Sequence, residues 1–108
     1  MFFALTRENV AALKRHWRDK LGFGSSHADE IISRGLGFRT YAAMTPMLRD
    51  GGVDAPILWL HLERAGERAG ELGYSATGLG EALRGLRLPD ASALLPAFPA
   101  PANQNEPT

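Results

Sequence analysis

The apolar residues of the first quarter of the chain recur at the spacing of a helix face. This stripe consists of Val10, Leu13, Trp17 and Leu21, with charged residues between its members. Spacings of three and four positions predict an amphipathic helix. Thr6 suits the N-cap, and Leu5 before it is expected to pack on Val10 as a hydrophobic staple. Gly22 is the expected C-terminal stop.

Two further helical patterns follow. The second helix is expected to begin at a hydroxyl cap, Ser25 or Ser26, and to end at Gly37. Its apolar stripe is Ala28, Ile31, Ile32 and Leu36. A short third helix is predicted after Thr40 as N-cap, with Pro46 interrupting it or restarting it behind Thr45. The apolar residues of this third segment are Tyr41, Met44, Met47 and Leu48.

The second half of the chain predicts two more helices. Residues 50–52 (Asp-Gly-Gly) have the composition of a turn. Asp54 then suits the N-cap of a fourth helix that ends at Gly73. Its stripe is Leu58, Leu62, Ala65, Ala69 and Leu72. Residues 57–62 also alternate as a strand does, so helix and strand both remain open there. A fifth helix is expected to open at Ser75 or Thr77, with Leu79, Ala82, Leu83 and Leu86 as its apolar residues.

Together these patterns predict an all-α fold, a compact bundle of about five short helices over residues 1–88. Residues 89–108 have a different composition, because five of the seven prolines lie there among Ala, Asn and Gln. Each proline fixes its own φ and moves the preceding residue out of helical space. Residues 89–108 are therefore predicted to form a flexible tail.

Composition removes several chemistries. The chain has no cysteine, which excludes disulfides, thiolate nucleophiles and cysteine-based zinc sites. Its three histidines, His16, His27 and His61, lack metal-ligand spacing. We therefore expect no metal, no cofactor and no catalytic residue. A hydrolase or lyase built around His27 is the least favoured hypothesis. The first residues do not resemble a signal peptide, and the sequence has no apolar run long enough to cross a bilayer, so a cytoplasmic protein is expected.

The charges cancel in total but not along the chain. Residues 1–49 contain eight basic and four acidic side chains, a balance of +4, and the remainder carries −4. A solvated surface is one interpretation of this asymmetry. The alternative is a nucleic-acid-binding regulator that contacts phosphates through a basic face. Its candidate residues are Lys14, Arg15, Arg18, Arg34 and Arg39. In that alternative the second and third helices form a helix-turn-helix, which Pro46 weakens.

The leading functional hypothesis is a non-enzymatic interaction module that binds a protein or its own copy. The expected surface is an apolar groove near Phe38, Tyr41 and the helix that carries Trp59. A domain of this size has little core of its own, so it gains stability from covering apolar surface with a partner.

Several short motifs carry a family resemblance. They are Ser26-His27, then Glu30-Ile31-Ile32, then Gly37-Phe38-Arg39-Thr40-Tyr41 and Met44, preceded by a helix with Leu13, Lys14, Arg15 and Trp17. Over about residues 5–48 the chain resembles the bacterial glyoxalase-related protein domain, a small helical module. The resemblance implies a module that stands alone or beside a metal-dependent glyoxalase domain. It transfers no catalytic residue to this chain.

Overall fold

A computed structural model describes residues 1–50 and 54–89. These ranges hold four α-helices, two short strands and two turns of 3-10 helix. In chain order the regular elements are β1 (Phe2–Ala4), α1 (Arg7–Leu21), α2 (Ser25–Gly35), α3 (Tyr41–Met44), β2 (Ile57–Trp59) and α4 (Leu62–Glu71). The fold is thus mostly helical, as predicted, but the all-α expectation is corrected by a two-stranded antiparallel sheet.

The first helix follows its local signals. The Thr6 hydroxyl accepts a hydrogen bond from the Asn9 amide at 3.0 Å, which confirms Thr6 as the N-cap. Gly22 ends α1 in the left-handed region at φ 74°, where a residue with a Cβ is strained. Val10, Leu13 and Trp17 are buried as the stripe predicts.

The second helix confirms its stripe and corrects its ends. All four predicted apolar residues, Ala28, Ile31, Ile32 and Leu36, are buried. The helix begins at Ser25 behind Gly24, and no side chain caps it, so the predicted serine cap is wrong. It ends at Gly35, and the chain then turns through Gly37 at φ 95°.

The third helix is one turn long. The Thr40 hydroxyl accepts from the Ala43 amide at 3.1 Å, which confirms this N-cap. After Met44 the chain tightens into a 3-10 turn over Thr45–Met47. Pro46 has no amide hydrogen to continue the helical bonding pattern, which explains the early end of α3.

The predicted fourth helix is corrected at its start. Residues Ile57–Trp59 form β2, and α4 begins only at Leu62. Residues 55–60 are all apolar, so a helix there would turn apolar side chains to every side, whereas a strand can cover the core with one face. Pairing with Phe2–Ala4, more than fifty positions away, decides between the two conformations.

The predicted fifth helix is reduced to a 3-10 turn at Glu81–Leu83. Gly78, Gly80 and Gly85 lie in or beside this segment, and Gly78 and Gly85 adopt positive φ angles of 87° and 84°. Each glycine raises the conformational cost of a helix. The segment still closes the core, because Leu79 and Ala82 are buried.

Helices α2 and α4 pack closely through small residues. An added Cβ on Gly35 would lie 3.1 Å from the Ala65 Cβ and 3.0 Å from Leu60 Cδ1. An added Cβ on Gly66 would lie 2.9 Å from the carbonyl oxygen of Ala76. The contact at Gly35 therefore packs α2 tightly against the start of α4, and the contact at Gly66 packs α4 tightly against the segment at Ala76.

The largest fully buried side chains form one cluster between the helices and the inner face of the sheet. The apolar ones are Trp17, Phe3, Leu5, Leu13, Ile31, Ile32, Met44 and Leu60. Of the sequence predictions, the glycine turn at 51–52 and nearly all of the tail predicted for 89–108 lie outside the described residues.

Candidate interaction surface

The two strands form a ribbon with one face on the main core, while the other face is exposed at its Phe2 end and buried at its Ala4 end, where Ala55 and Ile57 pack. Phe2 is opposite Trp59, Phe3 is opposite Leu58, and Ala4 is opposite Ile57. Because opposed residues of an antiparallel pair share a face, Phe3 and Leu58 lie on the core side and Phe2 and Trp59 on the other. Phe3 is completely buried, and Leu58 packs against the same cluster.

The outward face presents an aromatic pair. The rings of Phe2 and Trp59 pack edge to face with centroids 5.0 Å apart. Phe2 is 45% exposed and Trp59 is 49% exposed. Four large apolar side chains are exposed within the described ranges, and three of them, Met1, Phe2 and Trp59, are at this end of the ribbon. The fourth is Met47. Exposed apolar surface is thus concentrated at one place.

The ribbon also has an open edge. The Leu60 amide donates to the Met1 carbonyl and the Leu5 amide donates to the Pro56 carbonyl, each at 2.8 Å. Hydrogen-bonded pairs alternate along an antiparallel ladder, so the backbone groups of Ile57 and Trp59 point away from β1. Within residues 1–50 and 54–89 these groups have no hydrogen-bond partner. The outer edge of β2 therefore offers two donors and two acceptors.

Residues 5–7, which follow β1, pair with Arg49 on the side away from β2. The Arg49 amide donates to the Leu5 carbonyl at 3.2 Å, and the Arg7 amide donates to the Arg49 carbonyl at 2.9 Å. Pro56, opposite Leu5, has no amide hydrogen to donate, and the Leu5 carbonyl accepts from Arg49 on the other side. The open edge is thus on the β2 side.

The three residues predicted for the apolar groove have different environments. Trp59 lies on β2 and not on a helix, which corrects the sequence prediction. Phe38 and Tyr41 are half-buried and pack against the main core. The Tyr41 amide also donates to the Glu30 carboxylate at 3.3 Å. Of the three side chains, Trp59 is the most available to a partner.

The five basic residues predicted to contact phosphate are divided between two depressions. Lys14, Arg15 and Arg18 line one beside α1, while Arg34 and Arg39 line another at the end of α2. Several of them already have partners. Lys14 pairs with Asp29 at 3.0 Å, and the Arg18 Nε donates to the Phe23 carbonyl at 3.3 Å. Arg15 and Arg39 are exposed and have no ion-pair partner in the described part.

His27 belongs to a polar link between segments. Its Nδ1 lies 2.7 Å from the Tyr74 hydroxyl, which also accepts from the Gly24 amide at 3.0 Å. Because the hydroxyl oxygen accepts from Gly24, its own hydrogen is free to be donated to the imidazole. The link connects the start of α2 to the segment after α4, and no carboxylate within hydrogen-bond distance of His27 is described. These hydrogen bonds hold the two segments together, which is a structural role.

Within the described residues no three histidine or acidic side chains converge as a metal site would require. None of the described helices has the length and apolar character that a bilayer-spanning segment needs. Comparison with protein-family models, with curated proteins and with solved structures gave no match. The resemblance to the glyoxalase-related protein domain over residues 5–48 therefore stays a prediction.

Sequence reasoning missed the outward face of the ribbon. The sequence points to Trp59 as a surface residue, but it does not point to Phe2 or to the open edge of β2. The available signals were two apolar runs, residues 2–5 and residues 55–60, each too short for a helix and too apolar for a loop. Their pairing is a non-local property that neither run shows alone.

Proposed function

We propose that this chain is a small non-enzymatic interaction module of the cytoplasm that self-associates through the outer edge of β2. One observation carries the proposal: the unpaired backbone groups of Ile57 and Trp59 lie beside an exposed aromatic pair. Edge strands of soluble proteins are normally protected by charges, bulges or coverage. Residues 55–60 contain no charged side chain.

A second copy fits this edge by symmetry. An antiparallel pairing centred on Leu58 places Ile57 of one copy opposite Trp59 of the other, and the same pair recurs across the two-fold axis. All four outward backbone groups of each strand then gain partners, and the result is a four-stranded sheet. Pro56 does not prevent this pairing, since its backbone points to β1, where its carbonyl accepts from Leu5.

The short strand sets the strength of the association. A pairing of three residues buries little area, so we expect a reversible dimer rather than an obligate one. The apolar rings of Phe2 and Trp59 in both copies then lie on the same face of the new sheet, where their burial favours association.

Analytical ultracentrifugation of the full chain tests the proposal, over a range from about 10 µM to about 1 mM, where small interfaces associate. The wild type is expected to shift from monomer to dimer. Trp59→Lys should remain a monomer, because a charge on the edge strand opposes pairing. Met47→Lys is the matched control, since it places the same charge on another exposed apolar residue, and it should dimerise as the wild type does.

Two results would overturn the proposal. The first is a wild type that stays monomeric at the highest concentration. The second is an equal loss of dimer in both lysine variants, which would place the interface elsewhere. Far-ultraviolet circular dichroism of each variant establishes that the fold is retained.

The nucleic-acid-binding alternative has less support. A helix that contacts bases in the major groove of DNA needs at least two unbroken turns, and α3 has only four residues. Lys14 and Arg18 also have partners inside the protein.

A further inference from the structure

A depression of about 430 Å³ lies where the end of α2, the loop after it and the start of α4 meet. It is lined by Arg34, Gly37, Phe38, Arg39, Arg64 and Glu67. The lining thus contains three arginines and one glutamate, a net positive charge. The three arginines come from three different segments, so the charge concentration arises from the fold and is not visible in any one stretch of sequence.

The arginines of this depression are incompletely neutralised. Arg39 and Arg64 are exposed and have no ion pair within residues 1–50 and 54–89. Arg34 has only Glu71, at 3.9 Å, and that carboxylate lies closer to Arg68, at 2.9 Å. The Nε of Arg34 is buried and makes no hydrogen bond within the same ranges. The guanidinium donors available to a ligand are therefore those of the exposed Arg39 and Arg64.

The backbone holds these groups in place. After α2 the Gly37 amide donates to the Arg34 carbonyl at 3.1 Å, and the Phe38 amide donates to the Ser33 carbonyl at 2.9 Å. These bonds fix the turn that carries Phe38 and Arg39 beside the end of α2. The close contact between α2 and α4 at Gly35 fixes Arg64 on the other side. Little backbone freedom is therefore lost when a ligand binds, and the cost of ordering falls on the arginine side chains.

We propose that this depression binds the phosphate group of a small organic phosphate. The planar guanidinium fork matches the oxygen geometry of phosphate and donates two parallel hydrogen bonds. The Phe38 ring supplies an apolar wall for the organic part of the ligand. The volume is in the range of small-molecule sites. This inference is independent of the β2 edge, because no residue is shared between the two surfaces.

Nuclear magnetic resonance titration of the full chain with adenosine monophosphate tests the site, at about 150 mM salt, where non-specific charge attraction is screened. We expect saturable shifts at the amides of residues 37–39 and 64. Adenosine, which lacks the phosphate, should bind at least about tenfold more weakly, the ratio equivalent to about 1.4 kcal/mol.

The Arg39→Gln/Arg64→Gln double variant should weaken adenosine monophosphate by at least about tenfold, since two charge-assisted contacts are lost. The Arg15→Gln/Arg87→Gln double variant is the matched control, because it removes the same charge from a different depression. It should bind as the wild type does. An equal loss in both variants, or no saturable shift at millimolar ligand, would overturn the proposal.

A single-stranded oligonucleotide distinguishes the source of the phosphate. A small-phosphate site predicts that the oligonucleotide perturbs the same amides no more tightly than the mononucleotide. Tight oligonucleotide binding that both double variants weaken would instead indicate an extended nucleic-acid surface, and it would refute the small-ligand assignment.

Discussion

The two tryptophans of this chain lie in regions of opposite character. Trp17 is completely buried in the helical body, the part of the fold formed by α1, α2, α3 and α4. Its ring packs on Phe23 and on the rest of the main cluster. Trp59 is on the outward face of the ribbon, half exposed, and packs on Phe2. A large aromatic side chain stabilises the first region by packing. In the second region about half of the ring is left uncovered in the monomer, which is the pattern expected of a surface that another molecule covers.

Truncation of each tryptophan should separate the two regions most strongly. Trp17→Ala removes a fully buried ring and is expected to lower the free energy of unfolding by about 3–5 kcal/mol. Trp59→Ala should cost clearly less, about 1–2 kcal/mol, because half of its ring is exposed and the packing lost is chiefly that on Phe2. Urea unfolding at low micromolar concentration, where the monomer predominates, measures both. A similar cost for the two variants would contradict the division of roles.

A second test concerns the packing of the helical body alone. Residues 63–70 of α4 repeat the sequence Glu-Arg-Ala-Gly, so Gly66 and Gly70 occupy equivalent positions of a repeat. An added Cβ would lie 2.9 Å from a backbone oxygen at Gly66 and has nothing within 4 Å at Gly70. Gly66→Ala is therefore expected to cost about 1–3 kcal/mol through overpacking. Gly70→Ala should stabilise by about 0.5–1 kcal/mol through helix propensity.

Thermal unfolding of the two alanine variants gives the sign directly. The expected Tm is lower than wild type for Gly66→Ala and higher for Gly70→Ala. If both substitutions raised the Tm, the close contact between α4 and the segment at Ala76 would be absent in solution.

The division between body and ribbon also explains what the sequence could predict. The stripe and N-cap of α1 and the stripe of α2 depend on neighbours within four positions, and the structure confirms them. Strand β2 depends on Phe2–Ala4, distant in sequence, so the local pattern leaves both helix and strand open for residues 57–62. For the same reason Trp59 could be selected from its type, but the open edge beside it could not. Arg64 was missed because its neighbours Arg34 and Arg39 belong to other segments.

Thr6 stands at the junction of the two regions and offers the smallest of the expected effects. Its hydroxyl caps α1 through the Asn9 amide, while its backbone lies beside Arg49 next to β1. Thr6→Ala should cost about 1 kcal/mol, the usual value of a lost N-cap. Ser26→Ala is the matched control, because Ser26 is exposed and does not cap α2, and it should change stability by less than about 0.5 kcal/mol. Amide hydrogen exchange shows where the stability is lost. Faster exchange confined to the first turn of α1 indicates that Thr6 acts as a cap alone. Faster exchange at the Leu5 and Leu60 amides as well indicates that the cap also holds the ribbon to the helices. Equal stability of the two variants would show that Thr6 does neither.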